Sequence, residues 1–163
     1  MTTKLKSAPV FMATAGTLAV ALALTLLLSA PPFAEPSLAD RGTGPLVGTW
    51  RMTSLEVGTE GDLQPVPYSG QIIFTKSGTV SVQAMNPDPD APDTPYTRNG
   101  YEAYYGNVTI DRSAQTFEMT VESALVRDLI GQSLTRDYEV RGGTLVLTPP
   151  DPAEGWRATY ERL

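Results

Sequence analysis

Residues 44–54 read GPLVGTWRMTS. Gly48 stands two places before Trp50, at the head of an alternating stretch, 46–57, that reads as a strand. Glycine weakens a strand, so it marks a place where the backbone bends or lies close to another group. A strand that opens on such a bend and then a large indole suits the closed end of a barrel. On this reading Gly48 makes the bend and Trp50 plugs the end. An arginine of the last strand then covers the ring as a cation–π contact.

Outward from this stretch the sequence keeps a period of two. Strands are predicted over 46–57, 70–76, 79–85, 101–110, 116–125, 134–140, 144–148 and 156–163. Ser77-Gly78 reads as a two-residue hairpin turn and Gly142-Gly143 as another. Residues 86–95, NPDPDAPDTP, hold four prolines and read as an exposed loop, while 126–132 suits a short helical turn. Strands joined by short turns run antiparallel. Eight of them can close on themselves and so lose their exposed edges. The fold class expected is all-β: a single eight-stranded antiparallel up-and-down barrel, with a two-sheet sandwich as the other architecture that fits.

The start of the chain differs in kind. Lys4 and Lys6 precede an uncharged run over 11–30, and Ser37-Leu38-Ala39 gives a small-x-small pattern. This describes a secretory signal peptide helix over 1–39, followed by a linker over 40–45 and the barrel domain over 46–163. The expected location is periplasmic or extracellular. The run is also long enough to span a bilayer. Residues 10–30 left uncleaved would therefore anchor the protein to a membrane. The chain has 163 residues, no cysteine and no histidine. Without cysteine, stability must come from the core and from strand pairing. Setting aside Lys4, Lys6 and Glu35, 10 Lys+Arg face 17 Asp+Glu, a net charge of −7. That balance argues against nucleic acid or an anionic membrane surface as a partner. It suits a soluble monomer or weak dimer kept apart by like charge.

Four stretches resemble the bacterial lipocalin-like domain family, a branch of the calycin-type β-barrels. They are GTW at 48–50, the hairpin GQIIFTKSGTVSVQAMNPD at 70–88, YEAYYGNVTID at 101–111, and TLVLTPP with the closing TYERL at 159–163. The resemblance covers residues 45–163. It implies a small barrel that carries a mostly apolar small molecule, and it singles out Arg162 as the cover of Trp50. A few barrels of this kind act as isomerases or cyclases. Family members often carry two histidines in the fifth strand, where this chain has Met119 and Thr120. Chemistry that used an imidazole there does not transfer.

Composition removes Ser/His/Asp and Cys/His catalysis and the usual zinc and haem ligands. Asp88, Asp90 and Asp93 offer oxygen ligands, but their spacing is not that of an EF-hand loop; no metal or cofactor is expected. The residues that can line a pocket are Gln83, Met85, Tyr101, Tyr105, Met119, Glu122, Arg136 and Tyr138. A tyrosine suits the polar end of an apolar ligand, or it simply packs within a strand. Arg136 pointing inward would need a partner such as Glu122; otherwise both are outside and solvated. Alternation alone leaves open which parity faces in, because a one-residue slip inverts a strand. The function expected is binding of a small, mostly apolar molecule. The alternatives are an isomerase or cyclase working in the same cavity without His, Cys or metal, and a protein-interaction module using the Pro/Asp-rich loop.

Overall fold

The computed structural model describes residues 44–59 and 61–163. The signal peptide or anchor expected over 1–39 lies outside the described residues. Ten strands are described: β1 (Gly48–Thr59), β2 (Asp62–Val66), β3 (Ser69–Phe74), β4 (Thr79–Met85), β5 (Thr97–Arg98), β6 (Tyr101–Asp111), β7 (Thr116–Ala124), β8 (Ser133–Arg141), β9 (Thr144–Thr148) and β10 (Trp156–Arg162). Their order is β10-β9-β8-β7-β6-β4-β3-β1-β2, and β10 also pairs with β1. That last pairing closes an eight-stranded antiparallel ring. The eight ring strands are those predicted from sequence. The two additional strands, β2 and β5, lie against β1 and β6, in segments where no strand was expected.

Closure depends on β1 being long. Its first residues pair with β3 (Trp50↔Ile72), its last pair with β2 (Leu55↔Val66), and its other edge pairs with β10 along almost its whole length. A β-bulge between Met52 and Ser54 bends the strand between the two partners. The first hairpin corrects the expected turn. Thr75 N–H donates to Thr79 O at 2.9 Å, leaving Lys76, Ser77 and Gly78 as a three-residue loop. Gly78 has φ +82°, the left-handed residue that such a loop needs after its type I turn.

The inward parity is consistent around the ring. It carries Ile72 and Phe74, Val80 and Val82, Val108, Phe117, Met119 and Val121, Leu145 and Leu147, and Ala158 and Tyr160, all buried. Large side chains cluster toward the end nearest Trp50. Phe74 meets Phe117 edge-on, with ring centroids 5.3 Å apart. Tyr138 lies 6.5 Å from Phe117. Two 3-10 turns, Arg127–Leu129 and Pro152–Glu154, sit in the connections at the opposite end, the first within the segment read as a short helical turn.

Candidate ligand cavity and the closed end

The closed end is built from the opening stretch. Trp50 and Leu46 are fully buried, and Trp50 Nε1 donates to Leu46 O at 2.7 Å. The Arg162 guanidinium lies 4.0 Å from the centroid of the indole ring. It donates to Val47 O at 2.6 Å and to Pro45 O at 2.5 Å. Gly48 has φ +140°, and a Cβ there would sit 2.5 Å from Arg162 Nη1. The glycine therefore does two things: it takes a backbone conformation that other residues avoid, and it leaves the space that the guanidinium fills.

The interior opens toward the other end. A cavity of about 330 Å³ lies among Met52, Leu55, Ile72, Val82, Met119 and Leu134, with aromatic rings from Tyr96, Phe117 and Trp156. It is at the lower end of the size range of small-molecule sites, about 300–1,000 Å³. The wall is mainly apolar because β3, β4 and β7 turn their Val, Ile, Phe and Met positions inward.

A small polar group interrupts this wall. Glu102 and Tyr104 lie two apart on β6 and so share the inner face. They are hydrogen-bonded to each other. Burial raises the Glu102 carboxyl above the usual carboxylate range; the Tyr104 hydroxyl and then the Arg136 charge oppose that rise. Burial, followed by the charge of Glu102, pushes the Tyr104 and Tyr160 phenols well above theirs. Tyr68, also in the cavity wall, is raised for the same two reasons and is opposed by a hydrogen bond to Asn86. The electrostatic consequence is an interior that disfavours ionisation of Glu102 and of the phenols, beside the Arg136 guanidinium.

Arg136 enters from β8 and is half-buried. Its Cζ is 5.1 Å from the Trp156 ring centroid and 5.8 Å from that of Tyr96. Nη1 donates to Thr135 O at 2.7 Å, and Nη2 to the Tyr96 hydroxyl at 3.3 Å. Tyr96 comes from the proline-rich connection between β4 and β6, which thus brings residues 94, 96 and 97 into the cavity wall. The connection is closed by Asn86 N–H donating to Gly100 O at 2.8 Å. Thr97, 2% exposed, shares a 2.9 Å hydrogen bond with the Thr94 hydroxyl. The aspartates of this loop serve its own backbone: Asp88 accepts from Asp90 N–H at 2.9 Å and Asp93 from Asn99 N–H at 2.7 Å. Among the described residues no group of three acids is arranged to hold a metal ion.

Of the residues singled out in the sequence, the structure brings Met119 and Arg136 to the cavity. Tyr138 faces inward too, but beside Phe117 and outside the cavity lining. Gln83, Met85, Tyr101 and Tyr105 are exposed on the outer face, because Val82, Ala84, Glu102 and Tyr104 hold the inner positions of the same strands. Glu122 is also outside, where it accepts a hydrogen bond from Asn107 Nδ2. It is the extra residue of a bulge, since Tyr105 pairs with Ser123 and Gly106 with Val121. Neither arrangement expected for Glu122 and Arg136 holds: Arg136 points inward and Glu122 outward, and the acid that shares the cavity with Arg136 is Glu102. Glu102, Tyr104 and Tyr160 were missed. Their signal was the simple alternation of β6 and β10.

Fold and site together define a closed eight-stranded antiparallel barrel, plugged at one end and with a cavity toward the other. No protein-family model and no curated protein matches the chain. Among solved structures, a lipocalin-like protein from Bacteroides uniformis aligns with a TM-score of 0.48 at 17% identity, over 74% of this chain and 100% of that one. The lipoprotein YedD from Klebsiella pneumoniae aligns with a TM-score of 0.37 at 14% identity, over 72% and 71% of the two chains. The fluorescent protein UnaG aligns with a TM-score of 0.35 at 16% identity, over 72% and 96%.

Proposed function

We propose that the protein binds a small, mostly apolar molecule in the cavity between β1, β4, β7 and β8. The observation that carries this reading is the cavity itself: about 330 Å³ with a largely apolar wall and one polar cluster. A barrel with no ligand to hold gains by filling its interior, since each void forfeits packing energy. Here the interior keeps an apolar cavity instead. Apolar contact would supply affinity, and Arg136, Glu102 and the phenols would orient the molecule.

We further propose that the barrel works outside the cytoplasm. The support is the sequence over 1–39, basic, then uncharged, then small. Native mass spectrometry of protein purified from its own host tests the binding reading. The expected result is a mass above that of the chain, lost on mild activation. Protein that carries no added mass, and that shows no heat of binding with short-chain alcohols or fatty acids, would overturn it. N-terminal sequencing of the same sample tests export: a start near Asp40 is expected, and a cytoplasmic chain starting at Met1 would refute it.

A further inference from the structure

We propose that the molecule bound in the cavity carries a single carboxylate, held by the guanidinium of Arg136. This rests on the cavity-binding reading and adds a chemical class to it. Arg136 presents five N–H donors, of which Thr135 O and the Tyr96 hydroxyl take two. Among the described residues no carboxylate lies within 4.0 Å of it. The ion pairs described are Arg51–Glu161, Arg98–Asp93, Arg141–Glu139 and Arg157–Glu56, none of which involves Arg136.

A charge set among rings in an apolar wall calls for a partner. The two acids of the cavity wall do not supply one. Glu102 is hydrogen-bonded to Tyr104 and forms no ion pair with Arg136; burial disfavours its charged form more than Tyr104 and the Arg136 charge favour it. Glu154 Oε2 accepts from Trp156 Nε1 at 3.4 Å. The rings of Trp156 and Tyr96 near the guanidinium compensate it only in part. A ligand carboxylate would complete the shell, because the planar fork of arginine matches two carboxylate oxygens. One guanidinium balances one charge. A phosphate dianion would leave a second charge among apolar side chains and beside Glu102, so the site discriminates against it. The tail has its place as well: Leu134 on the same face of β8, and Phe117 and Met119 across from it, continue the apolar wall.

The test uses octanoate and octan-1-ol as probes, with isothermal titration of the full barrel and Trp156 emission as a second readout. Octanoate is expected to bind the wild type about tenfold more tightly than the alcohol or better, the scale of a charge-assisted hydrogen bond. Arg136→Gln should bring that ratio to about one, and Arg136→Lys, which keeps the charge and loses the fork, should leave an intermediate ratio. Inorganic phosphate should not compete. Equal wild-type affinities, or a preference that survives in Arg136→Gln, would overturn the proposal. Should Arg136→Gln not fold, the wild-type ratio and Arg136→Lys still decide. Octanol bound without a preference for octanoate defeats this proposal alone; binding of neither probe defeats the cavity reading with it.

Discussion

Replacing Gly48 by alanine should release the arginine that closes the barrel, and the size of the effect follows from the geometry. A Cβ at this position would lie 2.5 Å from Arg162 Nη1, well inside ordinary contact, so the guanidinium must withdraw. Withdrawal loses the bonds to Val47 O and Pro45 O and the contact over Trp50. Charge-assisted hydrogen bonds contribute about 1.5–3 kcal/mol each. The solvent exposure of Arg162 calls for the low end or less, and an exposed cation–π contact adds about 0.5–1 kcal/mol. Arg162→Ala should then cost about 2–3 kcal/mol. Gly48→Ala should cost this plus about 1–3 kcal/mol of backbone strain at φ +140°. The clamp can be lost only once, so the double variant should be no less stable than Gly48→Ala. A double-mutant cycle read by urea denaturation and tryptophan fluorescence should give a coupling of about 2 kcal/mol. Single effects that add within about 0.5 kcal/mol would show that Gly48 and Arg162 act separately, and the account of the glycine would fail.

Trp50→Ala should cost about 3–5 kcal/mol, the range for a fully buried aromatic, and lower the melting temperature by about 10 °C or more; a melting curve like that of the wild type would show that the indole is not the plug. Glu102→Gln should change how stability depends on pH. Because the folded state raises this carboxyl above its unfolded value, its contribution is fully present below about pH 4.5 and is lost as pH rises through the folded value. The stability of Glu102→Gln relative to wild type should therefore rise from pH 4 to pH 7 in chemical denaturation, and a flat or falling difference would contradict the buried site. Tyr105→Ala and Glu122→Ala, both on the outer face, should leave octanol affinity within about twofold of wild type, whereas Ala158→Phe should fill the cavity and abolish binding with folding retained by circular dichroism. The reverse pattern in titration calorimetry would place the site outside the barrel.

The contrast between those inner and outer positions shows where the sequence was legible. The eight ring strands could be read from local alternation, and Gly48 and Trp50 from a short motif, whereas the choice of Arg162 as the cover of Trp50 came from the family resemblance. The cavity residues depended on parity, which was partly legible as well. In β6 Val108 and Ile110 alternate with Asn107, Thr109 and Asp111, so the apolar set faces in. Carried back past Gly106, the same alternation puts Tyr104 and Glu102 inside and Tyr105 and Tyr101 outside. The aromatic character of Tyr101 and Tyr105 pointed the other way. Strand packing favours aromatics on either face, so residue type could not decide the matter.

The bulge on β7 is a different case. Up to Val121 the inward positions are Phe117, Met119 and Val121, and an unbroken strand would next turn Ser123 inward. The extra residue Glu122 shifts the register, so that Ala124 instead lies opposite Tyr104. The space for the shift comes from Gly106: a Cβ there would lie 1.9 Å from Thr120 O, so only a residue without a side chain lets β6 and β7 approach this closely. No local pattern in the sequence announces that contact, because its two halves lie on different strands. The cavity spans this bulge: Phe117 and Met119 line it before the bulge on β7, and Tyr104 and Glu102 line it beyond Gly106 on β6. The glycine that permits the bulge therefore acts on the cavity wall itself, by setting which residues of the two strands pair there.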